Sequence, residues 1–210
     1  MHRDRYGSFA ELFAHETDGE DYAITAIRRP SSAIGVITPH GGAIEPRTAE
    51  IARALAGDQF NLYLFEGIKG LDNYGSLHIT SCRFDEPSCL ALISECRLVV
   101  AVHGYSSKDE AVLLGGLDAV LKARIARCLR AALFRAETEG HKFPGTDPRN
   151  VCNRGRSGCG VQIELSRTIR GSAAESRFVE ALRRVLLSVP AEGGGAAAGG
   201  ERAKDRGRRR

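Results

Sequence analysis

Residues 34–55 join an apolar β-type run (Ile34, Val36, Ile37) to Thr38-Pro39-His40-Gly41-Gly42 and then to a helical stripe of Ala49, Ile51, Ala52 and Leu55. Two hydrophobic periods meet within a few residues, so a strand has to hand over to a helix through a tight turn. Gly41 and Gly42 supply the backbone freedom for that turn. Pro46 suits the first helical position, having no N–H to lose there. Glu45 beside it suits a helix N-terminus, where free N–H groups favour an ionised carboxylate. An imidazole at a strand tip, with a carboxylate five residues on, makes two candidate ligands for a metal ion.

Two later runs end in the same kind of chemistry. Residues 97–105 read RLVVAVHGY, bringing His103 to a strand end, and residues 160–165 read GVQIEL, bringing Glu164 to another. Ligands of open α/β sheets bind beyond the carboxyl ends of the strands. Two histidines and a carboxylate leave a fourth zinc position for water, and a further glutamate can serve as base. Each residue also has a plainer reading. His40 could cap the following helix, Glu45 could serve helix-start electrostatics alone, and His103 could be a hydrogen-bonded core residue. Glu164 could pair with Arg167 or Arg170. Their convergence at strand ends favours the metal reading.

The rest of the chain alternates short apolar strands with helices. Ser8 to Glu11 is a capping box opening a helix, residues 22–29 and 61–68 read as strands, and the run SLHITS (76–81) reads as a short strand carrying His78. Pro87 begins a helix to about Cys96, and residues 110–114 read as a strand. Leu117, Val120, Leu121, Ile125, Cys128, Leu129, Ala132 and Leu133 mark one face of a long helix ending before Gly140. Residues 141–160 form a long loop rich in Gly, Pro, Asn and Arg, of the kind that is usually functional or disordered. A second capping box at Ser172 to Glu175 opens a last helix burying Phe178, Leu182, Val185, Leu186 and Val189. The alternation predicts one α/β domain over residues 1–190, with a mixed sheet and helices on both faces.

Composition narrows the function. Only 6% of residues are aromatic and there is no Trp, which argues against a base-stacking nucleic-acid platform. Residues 191–210 hold six Lys/Arg against three Asp/Glu, so that tail carries +3 of the net charge of +4 and the body is near neutral. Its Gly/Ala-rich make-up predicts a disordered basic extension. The charged start lacks an apolar signal region and no run is long enough to span a membrane, so a cytoplasmic protein, or one released on lysis, is expected. Six cysteines without a C-x-x-C pair read as reduced thiols, Cys96 and Cys128 as small core residues. Cys152 and Cys159 flank the glycine-rich loop, where a nucleophile or a disulfide is conceivable.

The segments PHGGAIEP, SLHITS, FDEP, VAVHGYSS and NVCNRGRSGCGVQIELSRTIR, in that order, resemble the poly-γ-glutamate hydrolase family of phages and bacteria. Members of that family are often labelled phage-related replication proteins, and its fold is similar to that of the zinc carboxypeptidase A group. The resemblance runs from about Tyr6 to Val189. It implies Zn2+ held by His40, Glu45 and His103, Glu164 as general base, and an anionic glutamate-containing polymer or peptide as substrate. Asn153-Arg154 resembles the carboxylate-binding pair of zinc carboxypeptidases, which makes Arg154 the first candidate for substrate binding and Arg156 the second. Tyr105 and Lys108 are further candidates to reach substrate, and His78 is a rival third ligand or a substrate contact. Three alternatives stand beside this reading. They are a hydrolase of other small N-acyl amino acids or peptides, an Fe(II) site of the two-histidine, one-carboxylate kind, and a non-catalytic nucleic-acid-associated protein acting through its tail. Linkage type, stereochemistry, polymer length and oligomeric state are open at this level.

Overall fold

The computed structural model describes residues 4–190; the basic tail expected over 191–210 lies outside the described residues. Seven strands form one mixed sheet in the order β1-β3-β2-β4-β7-β5-β6. They are β1 (Tyr22–Ile27), β2 (Ile34–Gly42), β3 (Asn61–Gly67), β4 (Leu98–Tyr105), β5 (Ala111–Gly115), β6 (Arg135–Glu137) and β7 (Val161–Ser166). The four central strands β3, β2, β4 and β7 run parallel; β1 is antiparallel to β3, and β5 is antiparallel to β7 but parallel to the edge strand β6. Parallel strands place their carboxyl ends along one rim of the sheet. His40, His103 and Glu164 therefore share that rim.

Period-2 alternation sorts the side chains to two cores. Val36, Leu62, Leu64, Val100, Val102, Ile163 and Leu165 meet α2 (Thr48–Ala56), α5 (Ala119–Ala131) and α6 (Ala173–Leu187) on one face. Ile37, Tyr63, Phe65, Val99 and Ala101 meet α1 (Phe9–Phe13), α3 (Asn73–Leu77) and α4 (Pro87–Glu95) on the other. The expected α/β sandwich with helices on both faces is what forms. His103 and Glu164 have the parity of Ala101 and Gln162, so they project from the second face and lie side by side in register across β4 and β7.

Several expectations fail locally. The stretch 76–81 is not a strand: Ser76 and Leu77 close α3, whose N-cap Asp72 accepts from Gly75 N, and His78 is its C-cap. Helix α2 begins at Thr48, not Pro46, because the N-cap Arg47 adopts a left-handed conformation with φ of 78°. The long helix expected to end before Gly140 ends at Ala131, and a three-residue strand, β6, with only Ala136 buried, follows it unforeseen. Val120 and Leu133 are exposed, not part of the buried stripe.

Leu133 itself stops α5. It is 85% exposed with φ of 65°, so its Cβ bears left-handed strain while its side chain buries little. Leu133→Gly removes about 1–2 kcal/mol of that strain and gives back about 0.5–1 kcal/mol in chain entropy. A net gain of about 0.5–1 kcal/mol in denaturant unfolding is expected; a loss would mean that the exposed Leu133 side chain contributes packing.

Candidate functional site

Strand β2 bulges between Thr38 and Gly41 in its pairing with β3, and this turns His40 out of the regular alternation. His40 is buried, and its Nε2 lies 2.9 Å from the Ile79 carbonyl. A carbonyl only accepts, so Nε2 carries the hydrogen and Nδ1 of the neutral ring keeps its lone pair. That lone pair faces Glu45 Oε1 at 3.2 Å and His103 Nδ1 at 3.1 Å. Glu45 Oε2 lies 3.7 Å from His103 Nδ1 and accepts from Gly104 N at 2.8 Å. Three buried groups that can each offer an electron pair thus face one another, and a positive charge between them, a metal ion or a proton on an imidazole, offsets their repulsion.

The spacing suits a metal ion. Zinc bonds of about 2.0–2.1 Å at tetrahedral angles put neighbouring donors about 3.3–3.4 Å apart. The 3.1 Å between the two imidazole nitrogens and the 3.2 Å from His40 to Glu45 Oε1 fall just under that edge, and the 3.7 Å from His103 to the second carboxylate oxygen just over it. His78 is a fourth neighbour, since one ligand atom each from His40, Glu45 and His78 lie within 4.8 Å of one another. Its ring stacks on that of His40 with centroids 4.1 Å apart, and its Nδ1 donates to Asp4 Oδ1 at 2.7 Å. Asp4 is in turn fixed by Thr80 N and Arg83.

Electrostatics follow from this crowding. Burial would raise the Glu45 carboxyl pKa, but His40 and His103 outweigh it and hold the group well below the usual carboxylate range. Burial likewise works against a charge on His103, yet its bond to Glu45 and the nearby Glu164 raise its pKa. Burial and the neighbouring His40 push His78 down to about 4. Glu164 goes the other way: burial pushes it up to about 7. Its Oε1 accepts from Gln162 Nε2 at 2.9 Å, and Gln162 Oε1 accepts from Asn150 Nδ2 at 2.8 Å, so a buried amide chain orients the carboxyl.

Beside Glu45 opens a cavity of about 400 Å³, lined among others by Arg47, Tyr74, Gly104, Arg167 and Arg170. The structure therefore brings His40, Glu45, His103, Glu164 and His78 together. It does not bring Asn153, Arg154 or Arg156 to the cavity. Asn153 is a loop clasp: Nδ2 donates to the Gly145 and Asp147 carbonyls and Oδ1 accepts from Leu117 N and Gly160 N. Both its amide hydrogens go to main chain, and Oδ1 takes two main-chain N–H groups and the Cys152 thiol. Arg154 Nη1 donates to the Phe84 carbonyl. Arg156 N donates to the Cys96 carbonyl, seven residues upstream of His103 and so about 23 Å away along the strand at 3.3 Å per residue. Tyr105 ends β4, but its ring meets Phe143 at 5.7 Å and its hydroxyl points to the Ala111 carbonyl. The six cysteines are free thiols, and burial pushes Cys152 up to about 12, which leaves it no thiolate character.

Sequence reasoning missed Asp4, Gln162 and Asn150. Gln162 was legible, standing two residues from Glu164 on the same strand face; Asp4, 74 residues from His78, left no local signal.

A family model described as poly-gamma-glutamate hydrolase matches residues 6–183. The chain belongs to the poly-γ-glutamate hydrolase family. Among curated relatives, UPF0714 protein YndL of Bacillus subtilis (strain 168) is 37% identical over 171 residues, which span 80% of this chain and 66% of YndL. Among solved structures, a bacteriophage poly-gamma-glutamate hydrolase superposes with a TM-score of 0.83 at 31% identity, over 87% of this chain and 96% of that one. A zinc-free form of YndL superposes with a TM-score of 0.81 at 33% identity, covering 89% and 98%. Poly-γ-glutamate hydrolase relatives thus share both the sheet and most of the described length. No helix among the described residues is long and apolar enough to cross a membrane.

Proposed function

We propose that the protein is a zinc-dependent amide hydrolase that cleaves γ-glutamyl bonds in poly-γ-glutamate or related chains. The observation that carries this reading is the triangle of donors from His40, Glu45 and His103, with Glu164 abreast of His103 on the neighbouring strand. Family membership supports the substrate, and the existence of a zinc-free form of a relative supports the metal. In this reading His40 Nδ1, Glu45 and His103 Nδ1 hold the ion, while the Ile79 carbonyl and Gly104 N–H fix the first two in place. A bound divalent ion supplies Lewis acidity and brings the pKa of water from 15.7 towards about 7.

The protein's own groups do the rest. Glu164, poised near neutrality, accepts a proton from the water that attacks the γ-carbonyl carbon. It then returns that proton to the leaving amine nitrogen as the C–N bond breaks, so the carboxylate is regenerated. The Gln162–Asn150 chain keeps the accepting oxygen oriented through both transfers. Arginines beside the cavity supply positive charge for an anionic chain.

Dialysis against a strong chelator is expected to abolish release of glutamate fragments from poly-γ-glutamate, and stoichiometric Zn2+ to restore it. Full turnover by protein that elemental analysis finds metal-free would refute the metal assignment. Restoration by Fe2+ but not Zn2+, with oxygen consumption, would identify the alternative iron chemistry.

A further inference from the structure

Two of the cationic side chains at the cavity have so far been given only a general attraction for an anionic chain. Arg170 is held by its Nη1 bond to the Pro46 carbonyl and its Nη2 bond to the Tyr105 carbonyl. A guanidinium has five N–H donors, and here Nε is buried and finds no acceptor among the described residues. The group lies flat on Gly104, where a Cβ would come within 2.5 Å of Arg170 Cζ. Gly104 follows His103 and donates its N–H to Glu45, so this cation sits one residue from the donor triangle. Arg167 lines the same cavity, exposed, and makes no ion pair among the described residues. Arg47, also on the wall, is by contrast taken up by Glu175 and Glu50. Burial works against the charge on Arg170, Glu45 and Glu164 favour it, and the neighbouring Arg167 opposes it. Glu45 and Glu164 act on Arg170 only through space, so a guanidinium with a donor to spare and, beside it, an Arg167 unpaired among the described residues complement a further anion at the cavity.

We propose that Arg170, assisted by Arg167, binds the free α-carboxylate of the residue on the leaving-amine side of the scissile bond, and so selects γ-linked over α-linked glutamate. This rests on the γ-glutamyl hydrolase reading above. The covalent chemistry of the polymer explains the side chosen. In a γ-linked chain the scissile nitrogen is attached to a Cα that bears the free carboxylate, two bonds away. On the acyl side, four bonds separate the γ-carbonyl carbon from its own α-carboxylate. A cation packed against the residue next to His103 matches the shorter reach. In an α-linked chain the position two bonds from the nitrogen holds the next amide carbonyl, which is neutral, and the free carboxylate lies two methylenes farther out. A guanidinium fixed by two main-chain carbonyls cannot follow it. Bidentate arginine–carboxylate pairing adds directional preference to the charge.

The test uses synthetic γ-linked glutamate pentamers in which the α-carboxylate on the amine side of the central bond is either free or a carboxamide. Cleavage at that bond is followed by mass spectrometry with zinc-loaded, full-length protein. A charge-assisted hydrogen bond corresponds to about a 10–100-fold preference. Wild-type protein is expected to show that preference in kcat/KM for the free carboxylate. In Arg170→Gln the preference is expected to shrink below about threefold, with Arg170→Lys in between. Gly104→Ala, which pushes the guanidinium aside, is expected to move it in the same direction. A merely structural role for Arg170 would slow both pentamers alike and leave the ratio intact, which overturns the assignment. So does wild-type protein that cleaves both pentamers equally. Wild-type protein that cleaves no γ-glutamyl bond at all overturns the parent reading instead, and this one with it.

Discussion

Glu164→Gln is expected to lower turnover on poly-γ-glutamate by about 10²–10⁴-fold while zinc binds at wild-type stoichiometry. The two side chains have nearly the same shape, and the amide oxygen can still accept the bond from Gln162 Nε2. What disappears is a group able to take a proton and return it. Because Glu164 is not one of the three converging donors, metal content should not change. Retained turnover would remove it from the base role. A joint loss of metal and activity would make it a ligand.

The same variant carries a stability signature in metal-free protein. Burial raises the folded-state pKa of Glu164 to about 7, above that of a carboxyl in the unfolded chain. At low pH both states hold the proton and Glu164 costs nothing. As pH rises from about 4.5 towards 7 the unfolded chain ionises first, so wild-type stability falls through that window and the deficit stays constant above it. Glutamine does not titrate. Glu164→Gln should therefore gain on wild type between pH 5 and pH 8 in denaturant midpoint, even as it loses activity. A stabilised but inactive variant separates a catalytic carboxyl from a structural one.

Much of the site was legible because parallel strands make sequence periodicity into geometry. Apolar runs ending in His40, His103 and Glu164 are adjacent strands of one parallel block, and their ends fall on one rim. Glu45 was legible as a residue and misjudged in its surroundings. A left-handed Arg47 delays α2 to Thr48, so the carboxylate turns to Gly104 N–H and two histidines and not to the helix N-terminus. Strain at a non-glycine residue is set by tertiary context, and no local pattern announces it. The arginines near Glu164 in sequence are parted by the strand itself. Arg154 and Arg156 precede β7 and Arg167 and Arg170 follow it, so they stand at opposite ends of a six-residue strand about 20 Å long. The resemblance of Asn153-Arg154 to a carboxylate-binding pair put Arg154 and Arg156 first; strand direction favours the second pair, since the carboxyl end carries the histidines.

His40→Ala is expected to abolish zinc binding and, in metal-free protein, to cost about 3–5 kcal/mol of stability. The stability loss follows from what remains behind. Glu45 is buried, with one main-chain bond from Gly104, and His40 and His103 are what keep it ionised inside the protein. Deleting one imidazole also strands the Ile79 carbonyl. If the uncompensated Glu45 charge dominates, adding Glu45→Gln to His40→Ala should restore part of the lost stability even though a second native side chain has been removed. Residues that share a network deviate from additivity in this manner, whereas independent contacts would simply add. Chemical denaturation of wild type, both single variants and the double variant closes the cycle. Additive losses would mean that His40 and Glu45 act as separate packing residues, and the triangle on which the metal assignment stands would have no energetic basis.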